Sequence, residues 1–449
     1  MDNSYSSNAT SCVAELSESA PSVNTKAAER DHRLDGNPTA PQKGDELRAR
    51  LEETVGCRFT SGNSVEVLID GDEIFPAMLE AIRNARSHIR FLTYVYWEGE
   101  IAEEFAEAIV EKAKAGVTCH VLLDAFGSKR MRDDLRRKME EAGALVALYN
   151  TFSFSRIPEY QHRTHRKILV CDGDVGFIGG VGIADEWTGH AQDPEHWHDF
   201  HFRVTGPTIA GLVQTFDDDW NSPRVQRSTN CEPIREKSDR PADETSHSAA
   251  DHEGAANLEG MEVLPFYSTP RDRESEAFDA YLSLIDSAEE RIRITTAYFI
   301  PEERMLRALS DAVARGVSVE IILPGVHCDS WLARRSSQEK WERVLDCGVR
   351  LFEYQPTMCH AKAAIFDGSL TTVGSINFDL LSLCLNDEAN ILVWSEEFAS
   401  AMNRQWEADR ERCVEILRDS WRQRSRWNRL QEKIAAKFPL PWWGSKSNY

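Results

Sequence analysis

The chain has 449 residues, a formal net charge of -22 and an apolar fraction of 41%. At ~100 to 200 residues per domain this length predicts two or three units, and the acidic balance argues against a protein that coats nucleic acid through a general basic field. Its 10 cysteines are scattered without a C-x-x-C pair, which excludes a dense disulfide scaffold and reads as reduced thiols of a cytosolic compartment.

Residues 1–58 are rich in Ser, Ala, Asp, Glu, Asn and Pro and predict a disordered lead-in, without the basic start and apolar core of a signal peptide. No run approaches the ~20 apolar residues of a spanning helix. Order is expected from the alternating strand Ser64 to Asp70, followed by a helix with Met78, Leu79 and Ile82 on one face. A strand Ile89 to Tyr96, a helix Ile101 to Ala115 closed by Gly116, and a strand Val117 to Leu123 come next. Alternation of this kind belongs to α/β layers. The same series returns as a helix to Ala288, a strand Ile292 to Tyr298, a helix Glu303 to Ala314 closed by Gly316, and a strand Val317 to Leu323, so the chain reads as an internal duplication. Residues 221–260 between the copies are polar and aperiodic, a linker or surface loop.

Each copy carries one H-x-K-x-x-x-x-D-G segment, His165-Arg-Lys167 to Asp172-Gly173 and His360-Ala-Lys362 to Asp367-Gly368. In a strand alternate side chains share a face, so each histidine stands beside its lysine. Two such dyads suit an anionic tetrahedral group, most simply a phosphate diester. The lysines would neutralise oxygens, one imidazole would attack phosphorus, and the other would protonate the leaving alkoxide, with no metal required. Asp172 and Asp367 precede glycine at the strand end and read as turn supports rather than substrate contacts. A histidine also needs a partner to fix its tautomer, and Asp199 in Trp197-His-Asp199 and Glu388 in Asp387-Glu388 are the candidates.

With these residues in view, the sequence resembles the phospholipase D superfamily and, within it, the bacterial cardiolipin synthases, over about residues 60–415. The resemblance rests on the two dyad segments, Gly374-Ser375-Ile-Asn377-Phe-Asp, Trp197-His-Asp199 with Thr205-Gly-Pro207, and Glu353 to Met358. It implies an α/β fold of two duplicated phospholipase D-type domains, 59–220 and 261–412, each a mixed sheet flanked by helices, packed with pseudo-two-fold symmetry so that both dyads reach one cleft. It implies a phosphatidyltransferase making cardiolipin from phosphatidylglycerol and a second phospholipid through a covalent phosphatidyl-histidine, with His165 as nucleophile and His360 as acid and no cofactor. Asn377, with Ser375, would cradle the phosphate. The first copy has Gly179-Gly180-Val-Gly182 where the second has Gly374-Ser375-Ile-Asn377, so the pocket should be asymmetric. The alternatives are hydrolysis by a phospholipase D, a nuclease disfavoured by the acidic charge, or a non-catalytic lipid-binding protein.

Other features have plainer readings. His190, His196, His198 and His201 with Asp193, Glu195 and Asp199 suggest zinc by residue type, but strand alternation divides them between two faces. Gly179, Gly180 and Gly182 lack a nucleotide-loop frame and read as a tight turn. Tyr94, Tyr96, Trp97, Tyr298 and Phe299 sit at strand ends, where they either line a cleft or pack in the core. Residues 413–449 form a basic tail with Trp427, Leu430, Ile434 and Phe438 on one helical face, Arg426, Arg429, Lys433 and Lys437 opposite, and Trp442 and Trp443 beyond. That pattern predicts an interfacial anchor, hence a peripheral protein on the cytoplasmic face of the cell membrane, with phospholipids and the membrane surface as partners and no nucleic acid.

Overall fold

Among the described residues sixteen strands form one sheet whose two sides repeat each other. The computed structural model describes residues 43–151, 162–227, 232–234, 260–269 and 275–437. The first half runs α1 (Lys43–Val55), β1 (Thr60–Ile69), α2 (Asp70–Asn84), β2 (His88–Thr93), α3 (Glu100–Lys114), β3 (Thr118–Asp124), α4 (Asp133–Glu141) and β4 (Leu145–Tyr149). It continues with β5 (Ile168–Cys171), β6 (Val175–Gly179), β7 (Phe200–Thr205), α5 (Ile209–Asn221) and β8 (Val225–Arg227). The second half opens with β9 (Met261–Ser268), α6 (Glu276–Ser287), β10 (Arg291–Thr295), β11 (Phe299–Ile300), α7 (Glu303–Ala314), β12 (Ser318–Pro324), α8 (Trp331–Asp346) and β13 (Arg350–Tyr354). There follow β14 (Ala363–Phe366), β15 (Leu370–Gly374), β16 (Phe378–Asp379), α9 (Leu380–Cys384), β17 (Glu388–Trp394), α10 (Glu396–Glu411), β18 (Cys413–Ile416), α11 (Arg418–Arg422) and α12 (Arg426–Ala435).

From one edge inward the strand order is β8, β4, β3, β2, β5, β6, β7, β1, and from the other β18, β13, β12, β10, β14, β15, β17, β9. The middle is the antiparallel contact of β1 and β9, with Thr60 opposite Val263 and Asn63 opposite Met261. In each half the helix-linked strands are parallel and the rest antiparallel, so each half is the mixed, helix-flanked sheet expected from the alternation.

The apolar faces of α2, α3 and α4 bury Met78, Ile82, Phe105 and Met139 against the first half, and α6, α7 and α8 bury Leu284, Met305 and Trp341 against the second. On the opposite face α5 and α10 share a single core: Leu212, Phe398 and Trp406 pack with Val65, Val204, Val263 and Ile391 from both halves. Burial of a large apolar side chain is worth ~1.5–3 kcal/mol, so this shared core binds the halves together.

Three segments differ from expectation. The helix α1 lies inside the stretch read as disordered; its sparse apolar residues recur at helical spacing, with Leu51 fully buried and Leu47 and Val55 against the second-half core. Arg48 pairs with Glu262 and covers the rings of Phe59 and Trp394. Strand β8 falls in the expected linker because it borrows its order from the edge of β4. In the tail, β18 adds to the edge of β13. The lead-in before residue 43, most of the linker, and Phe438, Trp442 and Trp443 lie outside the described residues.

Asp172 and Asp367 sit at φ 56° and 48°, immediately after β5 and β14. Asp172 accepts the backbone N–H groups of Arg86, Ser87 and His88 at 2.8–2.9 Å, and Asp367 those of Glu289, Glu290 and Arg291 at 2.7–2.9 Å. Each carboxylate therefore caps the entry into β2 or β10 and holds the strand that neighbours its own dyad.

Candidate active site

The dyads occupy extended segments just ahead of β5 and β14 rather than the strands themselves. These segments pair across the halves. Thr164 bridges Asp387 in parallel, and His198 bridges Cys359. The bonds are symmetric: His165 N–H donates to Asp387 O at 2.8 Å, and His360 N–H to His198 O at 2.7 Å. The residue after each bridge partner is an acid, so each acid is carried to the other half's histidine. His165 Nδ1 meets Glu388 with both oxygens at 3.0 Å, and His360 Nδ1 meets Asp199 Oδ2 at 2.7 Å. Both candidates are orienting carboxylates by geometry, but the pairing is crossed.

With Nδ1 held by a carboxylate, Nε2 is the ring nitrogen turned away from it in each case. Lys167 Nζ donates to His165 O at 2.7 Å, and Lys362 Nζ lies 3.0 Å from Nδ1 and 3.4 Å from Nε2 of His360. All four side chains are buried. Burial pushes the His165 pKa down, with Glu388 working against it, and burial with the Lys362 ammonium pushes that of His360 down to about 3. Lys167 falls to about 7 through burial, helped by Lys362, and Lys362 is lowered by burial too. Burial alone would raise Glu388 and Asp199, yet the histidines and lysines hold both below the usual carboxylate range. At rest the site holds neutral imidazoles beside crowded cations, an arrangement an anion relieves.

The supports of the two acids differ. Ser375 Oγ donates to Glu388 Oε2 at 2.5 Å, so this hydroxyl, expected on the phosphate, is engaged in holding the acid. On the other side Trp187 Nε1 donates to Asp199 Oδ2 at 2.9 Å. A side chain at Gly180 is impossible there, since a Cβ would stand 2.2 Å from Asp199 Oδ1; at Gly179 it would stand 2.6 Å from His201 Nδ1. These glycines end β6 by close approach rather than forming a tight turn. Gly182 is likewise filled from outside, its Cβ direction lying 2.6 Å from Val95. Asn377 is buried, its Nδ2 3.5 Å from Ser382 Oγ and its Oδ1 without a hydrogen-bond partner among the described residues. The asymmetry expected from Gly182 and Asn377 is thus present in the residues lining the two sides.

Several participants escaped the sequence reading. Trp187 and Trp197 place their rings 5.2 and 5.5 Å from that of His360. Arg166, between His165 and Lys167, donates to Glu388 O at 3.0 Å and pairs with Asp219 at 2.5 Å. Its position in the dyad segment was the available signal. Of the strand-end aromatics, Tyr94 packs edge-on to His165 at 5.0 Å, whereas Tyr96 is core, donating its hydroxyl to Ala102 O. Phe299 is also core, and Tyr298 donates to Asp329. The zinc-like histidines go to separate partners: His190 to Asp72, His196 to Asp193, and His198 to Asp70 and Asp409.

A family described as "Cardiolipin synthase, PLD-like domain" matches residues 78–220 and 281–410, once in each half. Cardiolipin synthase of Clostridium perfringens (strain SM101 / Type A) is 29% identical over 378 residues, covering 84% of this chain and 76% of that protein. Cardiolipin synthase 1 of Bacillus anthracis is 30% identical over 373 residues, covering 83% and 71%. The crystal structure of phosphatidylserine synthase from Haemophilus influenzae Rd KW20 superposes with a TM-score of 0.64 at 16% identity, over 88% of this chain and 97% of that one, a likeness of fold. Two matching domains, each contributing a dyad and the acid for the other's histidine, place this chain in the phospholipase D-like, cardiolipin synthase family.

Proposed function

We propose that the protein is a phosphatidyltransferase that makes cardiolipin from phosphatidylglycerol and a second phospholipid. The observation that supports this reading is the crossed pairing of His165 with Glu388 and His360 with Asp199, together with the mutual electrostatic influence of the two dyads, as two imidazoles and two ammonium groups shared by one phosphodiester would require. His165 Nε2 attacks phosphorus of the first lipid; a P–N bond forms and the P–O bond to the headgroup glycerol breaks. His360 gives its proton to the departing alkoxide, and glycerol leaves. His360 then takes the proton of a hydroxyl on the second lipid, whose oxygen attacks phosphorus as the P–N bond breaks. Cardiolipin is released and both histidines are restored. The lysines hold the phosphoryl oxygens, and the charge of the bound diester compensates Lys362, raising the His360 pKa so that it can carry a proton. Asn377 supports the phosphate from the second half, while Ser375 acts through Glu388.

Purified protein given phosphatidylglycerol vesicles is expected to release glycerol and cardiolipin in equal amounts by mass spectrometry; phosphatidic acid as the main product would instead favour a hydrolase. The pH profile follows from the free site. Lys167 is charged below about 7 and neutral above it, so kcat/KM should fall as pH rises through that value. The acid limb should lie below the ordinary imidazole range, because His165 must be neutral to attack. A kcat/KM that rose through pH 7 to 9 would contradict the role of Lys167.

The substrate is a lipid, and no helix among the described residues is long and apolar enough to cross a membrane. We infer that α12 docks the protein on an anionic bilayer. Its inner side buries Ala435 and Glu432, and Glu432 pairs with Arg424, which reaches Glu342 of α8. Its apolar stripe faces solvent, with Trp427, Leu430 and Ile434 65%, 48% and 49% exposed, beside the basic Arg426, Arg429 and Lys433. An amphipathic helix tied down by ion pairs with its apolar side outward fits a charged lipid surface. Replacing Trp427, Leu430 and Ile434 together by Ser removes about 1.4 kcal/mol or more each, so binding to phosphatidylglycerol vesicles should weaken roughly 1,000-fold in flotation. Turnover of a short-chain soluble analogue should be unchanged; unaltered flotation would refute the docking role.

A further inference from the structure

Of the four histidines that suggested a metal, His198 is the one with a carboxylate near each ring nitrogen. It is 1% exposed and directly precedes Asp199. Nδ1 lies 2.8 Å from Asp70 Oδ1 at the junction of β1 and α2, and Nε2 lies 3.3 Å from Asp409 Oδ1 on α10 of the other half. Its ring stacks on Tyr354 at 5.3 Å and 17° and meets Phe200 edge-on; Arg412 covers the Tyr354 ring at 5.1 Å, and Cys359 is the residue bridged by its backbone. Burial opposes a charge on this imidazole, but Asp409 and Asp70 outweigh burial and push its pKa up to about 10. A buried ring between two carboxylates is thus biased toward the imidazolium, the opposite direction to His165 and His360.

The clamp acts on the strand that carries Asp199. Asp70, held at φ 58°, accepts Asp199 N–H on the same Oδ1 at 3.1 Å and donates its own N–H to Asp199 O at 3.0 Å. His198 N–H donates to Met358 O at 2.9 Å, and His198 O accepts from His360 N–H at 2.7 Å. One residue thus ties the backbone of His360, the backbone of its acid and two carboxylates from different halves. At the equivalent place before Glu388 stands Asp387, which accepts the Tyr149 hydroxyl and has no such ring. We propose that His198 is a positioning residue, a buried ring clamped between Asp70 and Asp409 that fixes Asp199 against His360 and so serves the proton-transfer step specifically. The proposal rests on the phosphatidyltransferase reading only for the identity of that step.

The test compares His198→Gln and Asp409→Asn, both checked by thermal melting, on two substrates. Phosphatidylglycerol loses glycerol, a poor leaving group that needs a proton; a phosphatidyl p-nitrophenyl ester loses p-nitrophenolate, which does not. A misplaced His360 should lower kcat about 100-fold for the first, leave its KM within about twofold, and change the initial release of p-nitrophenolate by less than about threefold. Equal losses on both substrates would make His198 a stability element and overturn the proposal. Nitrogen-15 shifts of labelled His198 in the wild type should show both ring nitrogens protonated at pH 8, and a neutral ring there would also overturn it. If the wild type turned over neither ester, the reaction assigned above would fail while the nitrogen shifts still decided whether the clamp is charged.

Discussion

With His165→Ala, formation of a covalent phosphatidyl-protein adduct is expected to disappear and cardiolipin synthesis to fall to background, whereas with His360→Ala the adduct should persist and accumulate under one condition. The difference follows from which bond each ring makes. His165 provides the only nitrogen that bonds phosphorus in the proposed sequence, so its loss removes the chemistry. His360 provides proton transfer, worth roughly 10²- to 10⁴-fold. A phosphatidyl p-nitrophenyl ester bypasses the first proton transfer, so His360→Ala should form the adduct near the normal rate. It should then stall, because no base activates the acceptor hydroxyl. Intact-mass measurement after acid-free quenching reads this directly. The reverse outcome, an adduct on His360 that survives His165→Ala, would exchange the two roles, and the crossed geometry permits the exchange because both rings have Nδ1 bound to a carboxylate.

The parts of this site that could be read in the sequence are those whose information is local. A histidine and a lysine two residues apart, an aspartate before glycine, and an apolar alternation ending in Gly116 or Gly316 each fix a local geometry, and the sheet order agrees with them. The two acids were identifiable by type. Their assignment was not, because the bridges that deliver them join residues 223 and 161 positions apart, and no periodicity reports such a contact. The same limit hid α1, whose few apolar residues have meaning only against the second-half core, and Trp187, whose indole looks like core until Asp199 is placed beside it. Ser375 sits in a glycine-rich segment that suggests a phosphate, and only the fold brings Glu388 to its hydroxyl.

The crossed pairing has its own consequence, which is that each acid should fail in the step performed by the other half's histidine. In Glu388→Gln the hydroxyl of Ser375 continues to donate, and it selects the amide oxygen. The amide N–H₂ then replaces one of the two oxygens that stood 3.0 Å from His165 Nδ1, so the negative charge that held the ring proton on Nδ1 is lost and the proton is shared with Nε2, which blocks the nucleophile. A wrong tautomer of this kind costs about 10⁴-fold in a related acid–histidine arrangement. The loss should be the same for glycerol and p-nitrophenolate as leaving groups, because attack precedes departure in both. In Asp199→Asn the Trp187 indole donates to one oxygen and the Phe200 N–H to the other, so the amide nitrogen must face a donor wherever it sits. His360 then loses the negative charge that stabilises its protonated form. Here the loss should be about 10²- to 10⁴-fold with glycerol leaving and largely absent in the first turnover with p-nitrophenolate. Acids serving the histidine of their own half would give the opposite assignment, with Asp199→Asn insensitive to the leaving group and Glu388→Gln rescued by it. Single-turnover rates on the two esters separate these outcomes, because only the crossed arrangement makes a substitution in the second half abolish attack by a histidine of the first.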